Sequence, residues 1–148
     1  NPFTNICTVK HTEADEHEFF KLDLLNVSIY KDIRDDDHLA ELMEREPIWE
    51  LLAHEDFVEK VFHVSGHDSL LKRLKPQSVE QLAATLAIIR PAKRHLQDKG
   101  WPTIMKEVWV KPIRDNKAYY FKKAHAISYA MVVVIHMNLL CEQLQSAN

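Results

Sequence analysis

The sequence predicts a mainly α fold, a compact multi-helix domain with at most one or two short strands. Three observations carry this. Apolar residues recur at helical spacing over several segments of the 148-residue chain, most clearly in Val79, Leu82, Ala83, Leu86, Ile88 and Ile89. Only two glycines are present, whereas hairpin turns and dinucleotide-binding loops need several. Helix boundaries are written locally: Ser78 with Gln81 forms a capping box behind Pro76, and Pro91 biases Arg90 away from helical geometry. At 46% hydrophobic and 28% charged residues, the composition is that of an ordinary globular chain long enough to build a real core.

The elements follow in order. Residues 1–17 are polar; His11, Glu13, Glu16 and His17 match no closed metal motif and read as a solvated acidic face. Glu18 to Val27 reads as a short strand running into a helix. Asp23, set among Leu22, Leu24 and Leu25, is costly to bury unpaired. It either caps the helix starting near Asn26 or binds a divalent cation such as Mg²⁺. Asp35, Asp36 and Asp37 mark a helix N-terminus, where acidic residues complement the dipole. The helix runs from His38 to Glu46. Pro47 opens the next, Ile48 to Ala53. Glu55 to His63 continues helical with Phe57, Val58, Val61 and Phe62 inward, until Gly66 breaks it. His67 to Leu74 is a further short helix.

The stretch from Gln77 to His95 organises the chain. An almost wholly apolar helix delivers Arg90, Lys93, Arg94 and His95 at its C-terminal end. A rigid mount for cations and a simple charge match to the helix dipole both explain this. Gly100 and Pro102 mark a turn around Trp101, Thr103 to Val110 is a short element, and Lys111 to Lys117 is a basic loop. Ala118 to Gln145 is the last long helix. Its apolar centre, Ala126 to Leu140, is shorter than the ~20 residues a bilayer needs and contains Ser128, His136 and Asn138. It therefore reads as a buried core helix rather than a membrane span, with a strand at the β-branched Val132 to Ile135 as the alternative.

The net charge of −3 conceals an asymmetry. Residues 1–67 carry 6 Lys/Arg and 16 Asp/Glu, and residues 68–123 carry 13 Lys/Arg and 5 Asp/Glu. A basic block in an acidic chain suits an anionic partner such as a phosphate backbone; it equally suits two oppositely charged faces that pack together. Cys7 and Cys141 are too few for a disulfide framework, which with the absence of a signal peptide leads to an intracellular, cytoplasmic expectation. The sequence begins at Asn1 without Met, so residues are expected upstream. No phosphate-binding glycine loop, zinc spacing or nucleophile elbow occurs. What remains is Asp23 and two cationic groups, Arg90/Lys93/Arg94 and Lys122/Lys123/His125, the second following Tyr119, Tyr120 and Phe121. Aromatics beside cations serve single-stranded nucleic acid by stacking and charge, or simply seal a core at the start of an amphipathic helix.

Four segments in this order resemble the family C DNA polymerases, the catalytic subunits of bacterial DNA polymerase III. Phe20-Lys21-Leu22-Asp23-Leu24-Leu25 resembles the family's palm segment Lys-Phe-Asp-Phe-Leu-Gly. Phe62 to Gly66 and Leu71-Lys72-Arg73-Leu74-Lys75-Pro76 resemble the opening of the fingers. Ser78 to Pro91 resembles the helix ending in Arg-Pro-Gly-Pro. Lys122-Lys123-Ala124-His125-Ala126-Ile127-Ser128-Tyr129-Ala130 resembles Asn-Lys-Ser-His-Ala-x-x-Tyr-Ala. The resemblance covers Phe20 to Leu140 and implies one domain over residues 1–148, with a palm-end segment at 18–30 and a fingers-like helical region at 31–148.

In that family three palm carboxylates hold two metal ions for nucleotidyl transfer. The resemblance gives Asp23 one of these places, but the Asp-x-Asp pair that should precede it has no match here. Mg²⁺ is then expected only with carboxylates from elsewhere. The fingers cations face the triphosphate and template, which by position gives Arg90, Lys123 and His125 a phosphate-binding role, with Lys93, Arg94 and Lys122 beside them. The chain departs from the pattern at Ala92, Lys93 and Ala124, at His63 and Ser65, and in joining its last two motifs through residues 92–121 without the family's long insert. The expectation is a phage-like or divergent replication module that binds DNA or deoxynucleotide triphosphate and is not catalytic alone. Two alternatives stand beside it. One is a part of a split polymerase completed by another polymerase chain; the other is a non-catalytic interaction domain that keeps the fold.

Overall fold

The computed structural model describes residues 28–111 and 121–146. The chain divides into two compact units, Asn1–Tyr30 and Lys31–Asn148. Asp23 and the expected strand near it lie outside the described residues. Within these residues the second unit is mostly helical, as the sequence predicts, and no strand occurs.

The α-helices are α1 (Asp36–Glu44), α2 (Glu55–Val58), α3 (Asp68–Leu74), α4 (Val79–Ile89), α5 (Trp101–Glu107) and α6 (Lys123–Ser146), with 3-10 helices at Ser28–Asp32, Trp49–Ala53 and Pro91–Leu96. The caps act as their chemistry requires. Asp35 Oδ1 accepts the His38 N–H at 2.8 Å, and Ser78 Oγ accepts the Gln81 N–H at 3.2 Å. The second half of the expected box differs: the Gln81 side-chain oxygen accepts from the Gln77 N–H at 2.8 Å, one residue beyond Ser78.

α4 and α6 form the centre. Every residue from Leu82 to Ile88 is buried, and α6 buries Ala126, Ala130, Val132–Ile135 and Met137–Leu139. α6 packs on α4 and α1, and α3 packs on the Trp49–Ala53 turn. Val132–Ile135 is helical, not a strand; packing on both neighbours overrides a β-branched preference that amounts to tenths of a kcal/mol. By length and hydropathy α6 could cross a membrane, yet half of its most apolar window is buried inside the fold.

Three other segments depart from expectation. α5 begins at Trp101, not Thr103, because Pro102 is accommodated in the first turn where its missing N–H is no loss. Ile48 to Ala53 is a 3-10 helix from Trp49. α2 stops at Val58 instead of reaching His63. The donors beyond it find partners outside a helix. Phe62 N–H donates to His136 Nδ1 at 3.0 Å. Ser65 Oγ and Gly66 N–H both donate to the Glu59 carboxylate at 2.8 Å. Gly66 takes φ +75°, which glycine tolerates; His63 takes φ +65°, which costs a residue with a Cβ about 1–2 kcal/mol.

Helix ends leave carbonyls without intrahelical donors, and here side chains distant in sequence supply them. Asn138 Nδ2 donates to Leu42 O at 2.9 Å and Arg45 O at 2.8 Å, closing α1. Trp101 Nε1 donates to Leu74 O at 2.9 Å, closing α3. Gln97 Nε2 donates to Ile88 O at 3.0 Å, closing α4. Lys93 Nζ donates to Glu107 O at 2.6 Å and Val110 O at 2.7 Å, closing α5.

Candidate functional site

The site is built where α4 ends. Pro91 holds Arg90 extended, at φ −72° and ψ 146°, so the side chain leaves the helix axis at a defined point. The guanidinium lies over the Phe121 ring, 5.1 Å from its centroid. Such a contact contributes about 0.5–2 kcal/mol. Phe121 is buried and stands two residues before α6. The exit of α4 and the start of α6 therefore meet through this pair. Arg90 Nε is buried with no acceptor within hydrogen-bonding distance among the described residues.

Beside Arg90 is a cavity of about 200 Å³. Among the described residues its polar lining is His63, His67 and Arg90, its walls are the apolar Leu86 and Ile89 and the rings of Phe121 and Tyr129, and no carboxylate lines it. The rings are in contact around it. His63 lies 4.0 Å from Phe62 and meets Tyr129 edge-on at 4.6 Å, and Tyr129 lies 5.3 Å from Phe121. Partial burial, reinforced by the Arg90 charge, pushes the His63 imidazole below its usual 6.5. The left-handed backbone at His63 places strain at the rim of this cavity, and such strain gathers at functional sites.

The remaining candidates separate. Lys93 does not reach the surface: it is 6% exposed, and its ammonium is consumed by the carbonyls of Glu107, at the end of α5, and Val110, just beyond it. Burial lowers its pKa, against the opposing effect of Glu107. Arg94 and Lys122 are exposed. Lys123 is exposed and pairs with Glu80 at 2.7 Å, a surface pair worth about 0–1 kcal/mol that an anion can displace. His125 is half-buried in the first turn of α6. Among the described residues no three His, Cys, Asp or Glu side chains gather as a metal site.

No protein-family model matches the chain, and no curated protein or solved structure matches it.

His63 and His67 carried no binding assignment in the sequence reading. The signal for them was faint, two histidines flanking the chain-breaking Gly66. Phe121 and Tyr129 stood in the aromatic and basic segment already singled out, without anything to say that Arg90 would join them.

Chemically the arrangement can bind and orient an anion. Arg90 supplies a cation, the two imidazoles can each donate a hydrogen bond, and the walls are apolar and aromatic. Among the described residues it offers no activated nucleophile and no general base paired with one.

Proposed function

We propose that this chain is a fingers-type module of the family C polymerase kind, which binds DNA or nucleotide phosphates and does not polymerise by itself. The observation that carries this reading is the Arg90–Phe121 contact. It joins the cationic end of α4 to the start of α6, the two segments for which the family resemblance gives a phosphate-facing role. Exposed Arg94, Lys122 and Lys123 surround this junction in sequence. Cations in the first turn of α6 oppose the helix dipole unless an anion is present. The setting proposed is the cytoplasm, with α6 serving as a core helix.

The test is titration of a labelled single strand and a primer-template at ~50 and ~200 mM salt. Binding should be weak and fall steeply with salt. The double change Arg90→Ala with Lys123→Ala should weaken it and reduce the salt slope by about 0.7–0.9 per cation removed. Lys31→Ala, in the acidic part of the chain, should change neither. Unaltered binding by the double variant, or no binding by the parent at low salt, overturns the reading. Primer extension by the chain alone with Mg²⁺ would overturn its non-catalytic half.

A further inference from the structure

The cavity beside Arg90 is distinct in kind from an exposed phosphate-tracking surface. It is a half-open recess with apolar and aromatic walls, whereas backbone phosphates are met by side chains that stand in solvent. We infer that it is a discrete binding site for a small organic oxyanion, one phosphate or carboxylate carried on a single flat ring.

Three features select this class. The first is charge. Arg90, His63 and His67 line the cavity and, among the described residues, no acidic side chain does, so the Arg90 charge opposes a cation there, while an anion meets that charge and two imidazoles able to donate. The second is the Arg90 guanidinium, which lines the cavity and is already held against the Phe121 ring, 5.1 Å from its centroid. A charged donor fixed in place loses little freedom when an oxyanion meets it. The third is shape. The walls contributed by Leu86, Ile89, Phe121 and Tyr129 are apolar or aromatic, so a ring gains by leaving water there while bare phosphate does not. At about 200 Å³ the cavity exceeds the ~150 Å³ that holds benzene. It falls short of the ~300 Å³ at which drug-sized pockets begin. One ring with its oxyanion fits; a whole nucleoside triphosphate does not. The inference shares Arg90 with the DNA-binding reading but stands on the lining of the recess rather than on the exposed lysines.

The probe is phenyl phosphate, titrated into the full chain and followed through the ring resonances of His63, Phe121 and Tyr129. The expected result is a saturable shift of these rings. Inorganic phosphate should bind at least roughly tenfold more weakly, the worth of burying one ring. Arg90→Gln should weaken phenyl phosphate roughly tenfold to a hundredfold, as expected for a charged hydrogen bond. Ile89→Phe fills the cavity from its apolar wall and keeps the charge; with helical content unchanged by circular dichroism, it should also abolish binding. It answers the question should Arg90→Gln fail to fold. Lys122→Ala with Lys123→Ala separates this site from the surface: DNA affinity should fall while phenyl phosphate affinity holds. Parallel loss of both assigns the small anion to the surface and overturns the proposal. So do equal affinities for phenyl phosphate and inorganic phosphate, the absence of a saturable shift, or an Ile89→Phe variant that binds as the parent does.

Discussion

The Lys93 ammonium lies 2.6 Å from the Glu107 carbonyl oxygen and closes the C-terminal end of α5. Two carbonyls share this one cation, since Val110 O accepts from it at 2.7 Å as well. A charged side chain at an apparently basic surface is thus a structural bolt between the Pro91–Leu96 turn and the helix that follows.

Lys93→Ala should therefore cost stability and leave DNA binding untouched. Hydrogen bonds from a charged donor are worth about 1.5–3 kcal/mol, and the variant also leaves the Glu107 carbonyl without this partner. Urea unfolding measures the loss. An unchanged midpoint, or a drop in DNA affinity with the fold intact, would return Lys93 to the binding surface.

Acid should release the end of α6 through Glu142. His38 Nδ1 accepts the Arg34 N–H at 3.2 Å, so Nε2 carries the proton and donates to Glu142 at 2.9 Å. This bond pulls the Glu142 carboxyl below its usual 4.5; partial burial opposes it, and Arg45, at 2.8 Å, adds to it. A carboxyl lowered in the folded state stabilises fully above its unfolded value. That stability is lost as pH falls from about 4.5 through the lower folded value. Glu142→Gln should lower stability at pH 7 by about 1–3 kcal/mol and flatten its decline below pH ~4.5. Thermal melts from pH 7 to pH 3 measure both; parallel curves for variant and parent would exclude Glu142 as a source of acid sensitivity.

Leu86→Ala and Ile135→Ala should each cost about 2–5 kcal/mol, since both side chains are buried, at 4% and 3% exposure. The parent protein should remain in solution without detergent, because the apolar faces of α6 are covered by α1 and α4. Recovery only from the membrane fraction, with Ile135→Ala costing nothing, would mean that α6 faces lipid.

The boundaries of α4 were legible because they are local. Ser78 and Pro91 act within one turn of themselves, through a cap and a forbidden backbone region. Asp35 announced α1 for the same reason, and the apolar runs announced the core, since burial follows from composition and period. The fates of the polar side chains were not local. Nothing near Lys93 says that its partners stand 14 and 17 residues away, nor that Asn138 reaches back 96 residues to Leu42. His136 and Asn138 were conspicuous as polar residues in an apolar helix, but only packing decided which backbone groups they satisfy. The same holds for the candidate site. The sequence marked Arg90 as a cation on a rigid mount. Tertiary structure alone set it on Phe121 and placed His63 and His67 at the same cavity. A helix is a contract between residues three and four apart, whereas a binding cavity joins residues that the chain itself keeps distant, and their meeting depends on how the helices pack.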